Sequence, residues 1–132
     1  MKTDNLKINQ LSTKCYEWYL SYLDALDARD VDRYKTFLSE DCVLIMNNAA
    51  PIEGKKAVLN GLSRYWQFFS DLEHDLLNIY GTDSSFMLEA MNHYQRLDGK
   101  AFSLRAIALM DRNSSGDVTS VRLHTDNSLL FE

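Results

Sequence analysis

Proline occurs once, at Pro51, and glycine five times in 132 residues. That scarcity excludes a long flexible linker and a collagen-like repeat. Cysteine occurs twice. Cys15 falls on an apolar helical stripe and Cys42 opens an apolar run, so both read as buried thiols and not as a disulfide framework or a redox pair. No run approaches the ~20 apolar residues that span a bilayer. Residues 1–10 lack the unbroken apolar stretch of a secretory leader, so a cytoplasmic protein is the simplest expectation. Basic side chains are outnumbered: 14 Lys and Arg face 19 Asp and Glu, for a net charge of −5. No basic stripe interrupts that balance. The surface repels phosphate backbones and anionic bilayers, so neither nucleic acid nor a membrane is expected as a partner.

What is present is a foldable composition, 45% hydrophobic and 25% charged, in a chain long enough for one hydrophobic core. Residues 1–132 therefore read as a single domain. Ile8, Leu11, Cys15, Trp18, Tyr22 and Leu26 recur at three- and four-residue spacing, with Tyr19 and Leu23 beside them, which predicts one long amphipathic helix. Asp30 is placed to cap a short second helix carrying Val31, Tyr34, Phe37 and Leu38. Cys42 to Met46 is an apolar run of strand length. Val58, Leu59, Leu62, Tyr65, Trp66 and Phe69 predict a third helix.

Beyond that helix the pattern becomes β-type. Strands are expected over Leu72 to Tyr80, Phe86 to Arg96, Ala101 to Met110 and Val118 to Asp126. The connections between them are short and turn-like. Asp98-Gly99 predicts a hairpin with a type I′ turn. Short turns make neighbouring strands antiparallel. Helices first and strands last predict an α+β fold, with N-terminal helices packed on a strongly curved mixed or antiparallel sheet. Both faces of the Phe86 strand are mixed, which predicts that one lies under the helices and the other meets a second copy in a homodimer.

This order of elements resembles the cone-shaped, cystatin-like fold of the nuclear transport factor 2-like superfamily, and more closely its SnoaL-like branch. The residues that carry the resemblance are Leu26-Asp27-Ala28-Arg29-Asp30-Val31-Asp32, Phe37 to Val43, Ile52 to Val58, Leu72-Glu73-His74-Asp75-Leu76, Tyr94 to Gly99 and Arg122-Leu123-His124-Thr125-Asp126. The resemblance implies a cone-shaped pocket that takes a small apolar or polycyclic molecule. Trp18, Tyr22, Tyr65, Trp66 and Phe69 are the candidate aromatic lining. Asn92, Arg105 and His124 are the candidate polar contacts.

The same resemblance allows known chemistries to be compared residue by residue. A ketosteroid isomerase pattern keeps its tyrosine at Tyr22. The base position falls on or near Met46 and the oxyanion aspartate near Ile107 or Ala108, where no carboxylate stands. A limonene-type epoxide hydrolase pattern finds Arg105 and Asp126 but lacks its second aspartate near Ile107. His74 and Asp126 remain as the candidate catalytic pair for cofactor-free acid/base chemistry, of the isomerase or cyclase kind. The alternative from another class is a non-catalytic ligand-binding or accessory subunit, such as an oxygenase small subunit. Only three histidines are present. No two are closely spaced, and no phosphate loop or nucleophile elbow accompanies them, so neither a metal nor a cofactor is expected.

Overall fold

The computed structural model describes residues 1–131. Ser12 starts the first helix, α1 (Thr13–Asp27), by accepting a hydrogen bond from the Cys15 backbone N–H at 3.1 Å. This satisfies one of the amides that a helix N-terminus leaves open. The expected helix therefore begins later than Ile8, and Ile8–Asn9 instead form a two-residue strand, β1. Cys15, Tyr19, Tyr22, Leu23 and Ala25 are the buried side chains of α1. Its inward ridge thus runs through Cys15, Tyr19 and Leu23, one turn apart, and Trp18 is turned to the flank.

Asp30 caps α2 (Val31–Tyr34) by accepting from the Arg33 N–H at 3.1 Å. Strand β2 (Leu38–Met46) and a two-residue strand, β3 (Ile52–Glu53), follow. The third helix, α3 (Lys55–Tyr65), is shorter than its apolar periodicity suggests. A single 3₁₀ turn at Trp66–Phe68 ends it, and Phe69 opens the next strand instead of closing the helix. The remaining strands are β4 (Phe69–Thr82), β5 (Ser85–Arg96), β6 (Ala101–Arg112) and β7 (Val118–Thr125).

The strands form one seven-stranded sheet in the order β1-β4-β5-β6-β7-β2-β3, curled but unclosed, and the helices pack on its concave side. β4 to β7 are antiparallel neighbours, whereas β2 runs parallel to β7 and β1 parallel to β4. The architecture is α+β with a mixed sheet, as the order of elements implied. The β5–β6 turn differs in detail. Gly99 has φ +88°, but Asp98 does not enter the left-handed region, so the turn is not type I′. The Gly99 N–H donates to the Arg96 carbonyl at 3.0 Å, which is a type I turn followed by a left-handed glycine.

Period-two alternation puts Phe86, Leu88, Ala90, Asn92 and Tyr94 of β5 on the concave face, and all five are buried. Leu76 and Ile79 of β4 are wholly buried among them. Each such side chain stabilises the fold by about 1.5–3 kcal/mol. Both cysteines are free and buried. No helix is long and apolar enough to cross a membrane.

Candidate functional site: a cavity with a His–Asp pair in its wall

A cavity of about 330 Å³ lies between the helices and the concave face of the sheet. Tyr22 and Leu26 of α1, Leu62 and Tyr65 of α3, and Leu88 and Ala108 of the sheet represent its mostly apolar wall. Ala49 and Arg64, the exposed members of that wall, mark its rim. A space of this size would hold on the order of ten waters. Its wall offers few hydrogen-bond partners, so an apolar molecule that displaces them binds favourably.

The polar groups in the wall are few, and they sit in defined places. β4 directs Leu72, His74 and Leu76 inward, so an imidazole interrupts an apolar row. Behind it stands Asp27, the last residue of α1. Asp27 Oδ1 is 2.5 Å from His74 Nδ1, and Oδ2 accepts the His74 backbone N–H at 3.2 Å. Both side chains are nearly buried, at 12% and 11% exposure. The α-ammonium of Met1 also reaches Asp27 Oδ2, at 3.0 Å. Burial alone would raise the pKa of Asp27. Hydrogen bonds from His74 and the α-ammonium outweigh that, and the carboxyl lies below its ordinary value of 3.8.

A carboxylate at a helix C-terminus faces the negative end of the helix dipole, and α1 has no basic residue in its last turn to offset this. His74 and the α-ammonium supply the compensation. Arg29, just past the helix at φ +53°, fixes the junction by donating to the backbone carbonyls of Phe69 and Ser70 at the start of β4. The end of α1 is thus tied to the strand that carries His74.

Asn92 stands directly across from His74 in the β4–β5 register, and both side chains face the cavity. Its Oδ1 is buried without a hydrogen-bond partner. Near it, the Tyr94 and Tyr65 hydroxyls lie 3.4 Å apart. Burial raises the pKa of both phenols, that of Tyr94 most, so they stay neutral donors. The buried hydroxyls of Tyr22 and Tyr34 lie 2.7 Å apart, one donating to the other. Among the described residues, no three His, Cys, Asp or Glu side chains converge to hold a metal ion.

Residues 19–121 match the SnoaL-like domain family. The chain belongs to that family. No curated protein sequence matches it. Among solved structures, a SnoaL-like polyketide cyclase candidate from Jannaschia sp. CCS1 is similar at TM-score 0.79 and 17% identity, covering 95% of this chain and 94% of its own. A Mycobacterium tuberculosis protein, solved in complex with estradiol-17β-hemisuccinate, is similar at TM-score 0.75 and 14% identity, with coverages of 89% and 97%. A protein of ketosteroid isomerase-like fold from Catenulispora acidiphila, bound to trimethylamine, reaches TM-score 0.71 at 13% identity, with coverages of 81% and 83%. At these identities the likeness is one of fold.

In this SnoaL-like chain the residues singled out from the sequence separate into two groups. Tyr22, Tyr65, Trp66, His74 and Asn92 line the cavity. The others lie elsewhere. Trp18 is half-buried on the flank of α1, with the Arg112 guanidinium 4.0 Å from its ring centre. Phe69 packs in a second cluster with Leu72, Tyr94, Leu104 and Leu130. Arg105 is exposed on the convex face and bonds Glu89 at 2.9 Å. His124 is exposed on that same face, opposite Ile107.

Asp126 follows the last residue of β7 and is exposed. It accepts the Ser128 N–H at 3.2 Å, and its hydrogen bonds with Ser128 lower its pKa where an apolar pocket would raise it. It is absent from the cavity lining, and no hydrogen bond among the described residues joins it to His74. The carboxylate paired with His74 is Asp27. A usable signal was present: Asp27 continues the Cys15, Tyr19, Leu23 ridge by one more turn, and a charged residue on an apolar ridge demands a partner.

Proposed function

We propose that the cavity takes a small, largely apolar, ring-bearing molecule, and that His74, oriented by Asp27, moves a proton on it without a cofactor. The observation that carries this reading is the 2.5 Å contact between His74 Nδ1 and Asp27 Oδ1. An ionised Asp27 accepts the Nδ1 proton, which fixes the tautomer with its lone pair on Nε2. Nε2 has no protein hydrogen bond among the described residues, and His74 lines the cavity. It can take a proton from carbon next to a carbonyl, leaving an enolate and an imidazolium that Asp27 stabilises. Tyr65 and Tyr94 are neutral donors available to the enolate oxygen. Return of the proton at another carbon is an isomerisation. Attack of the enolate on a second carbonyl of the same molecule, with that proton then passing to the new alkoxide, is a cyclisation. Neither needs an oxidant. The steroid ester bound by the Mycobacterium tuberculosis relative supports the size and polarity of ligand expected here.

Two copies of the chain pair, in this reading, through the convex face of the sheet. Met87, Met91, Ile107 and Leu109 lie there half-buried. The catalytic reading is tested by hydrogen–deuterium exchange at the acidic carbon of a bicyclic ketone such as 2-tetralone. Saturable exchange that disappears in His74→Gln supports an enzyme. Binding without exchange leaves a ligand-binding module.

A further inference from the structure

We infer that the ligand of this cavity is an anion, an apolar ring-bearing body with a carboxylate at one end, and that Arg64 holds that carboxylate at the mouth. The inference rests on the cavity being a ligand site, and extends that reading to a chemical class. Arg64 stands in the last turn of α3, exposed, at the rim of the cavity. A cation suits that end of a helix dipole whatever else it does. What sets Arg64 apart is that its guanidinium has no hydrogen bond or ion pair among the described residues. The other arginines are engaged. Arg29 and Arg96 donate to backbone carbonyls, and Arg33, Arg105 and Arg122 to carboxylates. Arg112 donates to a backbone carbonyl and to the Cys15 sulfur.

The Arg64 side chain folds back along α3. Its Nη2 lies 3.9 Å from the place a Cβ on Gly61 would take, and Ile52 Cδ1 lies 3.2 Å from the same place. Gly61 and Ile52 both line the cavity. The unused donors therefore stand beside an apolar wall, and among the described residues no Asp or Glu lines the cavity to claim them. The planar fork of a guanidinium takes a carboxylate through two parallel N–H···O bonds. At His74 the preference is the reverse. With Nδ1 turned to Asp27, a carboxylate at Nε2 would face a lone pair with no hydrogen to offer. The charged end of the ligand thus belongs at the mouth and its acidic carbon at His74.

The probes are 2-naphthylacetate and 2-naphthylacetamide, which share ring and chain and differ in charge. Their binding is read by calorimetry at about pH 7 and low salt, where exposed charges are least screened. The acid should bind wild-type protein roughly three- to thirtyfold more tightly than the amide, as one charge-assisted pair at a part-exposed site allows. In Arg64→Gln that preference should collapse to within about twofold, with the affinity for the amide unchanged. Arg64→Met, which keeps the stem and loses the charge, serves as a second variant if the first does not fold. Equal binding of the two probes to wild type overturns the inference while leaving the cavity as a ligand site. A preference that survives in Arg64→Gln also overturns it, because another group then holds the carboxylate. So does a variant that loses the amide along with the acid, because Arg64 then shapes the wall and does not read the charge. Failure of both probes to bind wild type removes the ligand site itself, and the inference with it.

Discussion

Asp27 holds His74 at two points, the ring Nδ1 at 2.5 Å and the backbone N–H at 3.2 Å. One carboxylate thus sets both the tautomer of the imidazole and its place in the cavity wall. Asp27→Asn keeps the shape and can offer Nδ1 a hydrogen, which favours the opposite tautomer. Exchange on a ketone probe should fall by about 10²–10⁴. Probe affinity, measured by calorimetry, should stay within about tenfold, because Asp27 itself lies behind the cavity wall.

Acid stability follows from the same contact. The folded-state pKa of Asp27 is lowered from 3.8. Its ionisation therefore contributes stability that is fully present above about pH 4 and is lost as pH falls through the lower folded value. Asp27→Asn removes this dependence. Urea midpoints of the two proteins, measured from about pH 6 down to about pH 2, should converge at the acid end. A constant difference across that range would remove Asp27 as a titrating group in the fold.

Trp18 and Trp66 should behave differently, although the sequence groups them together as aromatic lining. Trp18 stacks on Tyr22 at 5.7 Å, meets Phe37 edge-on, and lies under Arg112, all on the helix flank. Trp18→Ala should cost about 2 kcal/mol, below the ~3–5 kcal/mol of a fully buried tryptophan. It should leave probe affinity unchanged. Trp66→Ala opens the cavity wall and should weaken binding of 2-naphthol several-fold. Paired denaturation and calorimetry on the two variants check both statements.

The convex face gives a prediction about assembly. Ile107→Glu places a charge among Met87, Met91 and Leu109 and adds a carboxylate beside Glu89, its cross-strand neighbour. In sedimentation at micromolar concentration, wild type should run at twice the chain mass and the variant at the chain mass. A wild-type monomer would reject the pairing.

The fold was legible in the sequence because its signals are local. Helical spacing in α1, the Asp30 cap and the period-two face of β5 each depend on near neighbours in the chain. What failed depended on distance or phase. The spacing of Trp18 fits the α1 stripe, but the helix is rotated so that Tyr19 and Leu23 lead the inward face. The apolar pattern of α3 runs on through Trp66 and Phe69, yet a 3₁₀ turn redirects the chain after Tyr65. Asp27 and His74 lie 47 positions apart and meet at the junction where Arg29 also ties the end of α1 to β4. Asp126 was attractive because it shares strand parity with His124 and Arg122. Parity gives a face, but not the point at which the strand ends, and β7 stops one residue earlier.

The central claim is that His74 exchanges protons with a ligand inside the cavity. Proton NMR of 2-tetralone in D₂O, at about pH 7, measures this directly as loss of the signal from the acidic carbon. Exchange should saturate with ketone, be inhibited by 2-naphthol in the same pocket, and fall at least about a hundredfold in His74→Gln. Exchange no faster than in buffer, or as fast in His74→Gln as in wild type, would contradict it.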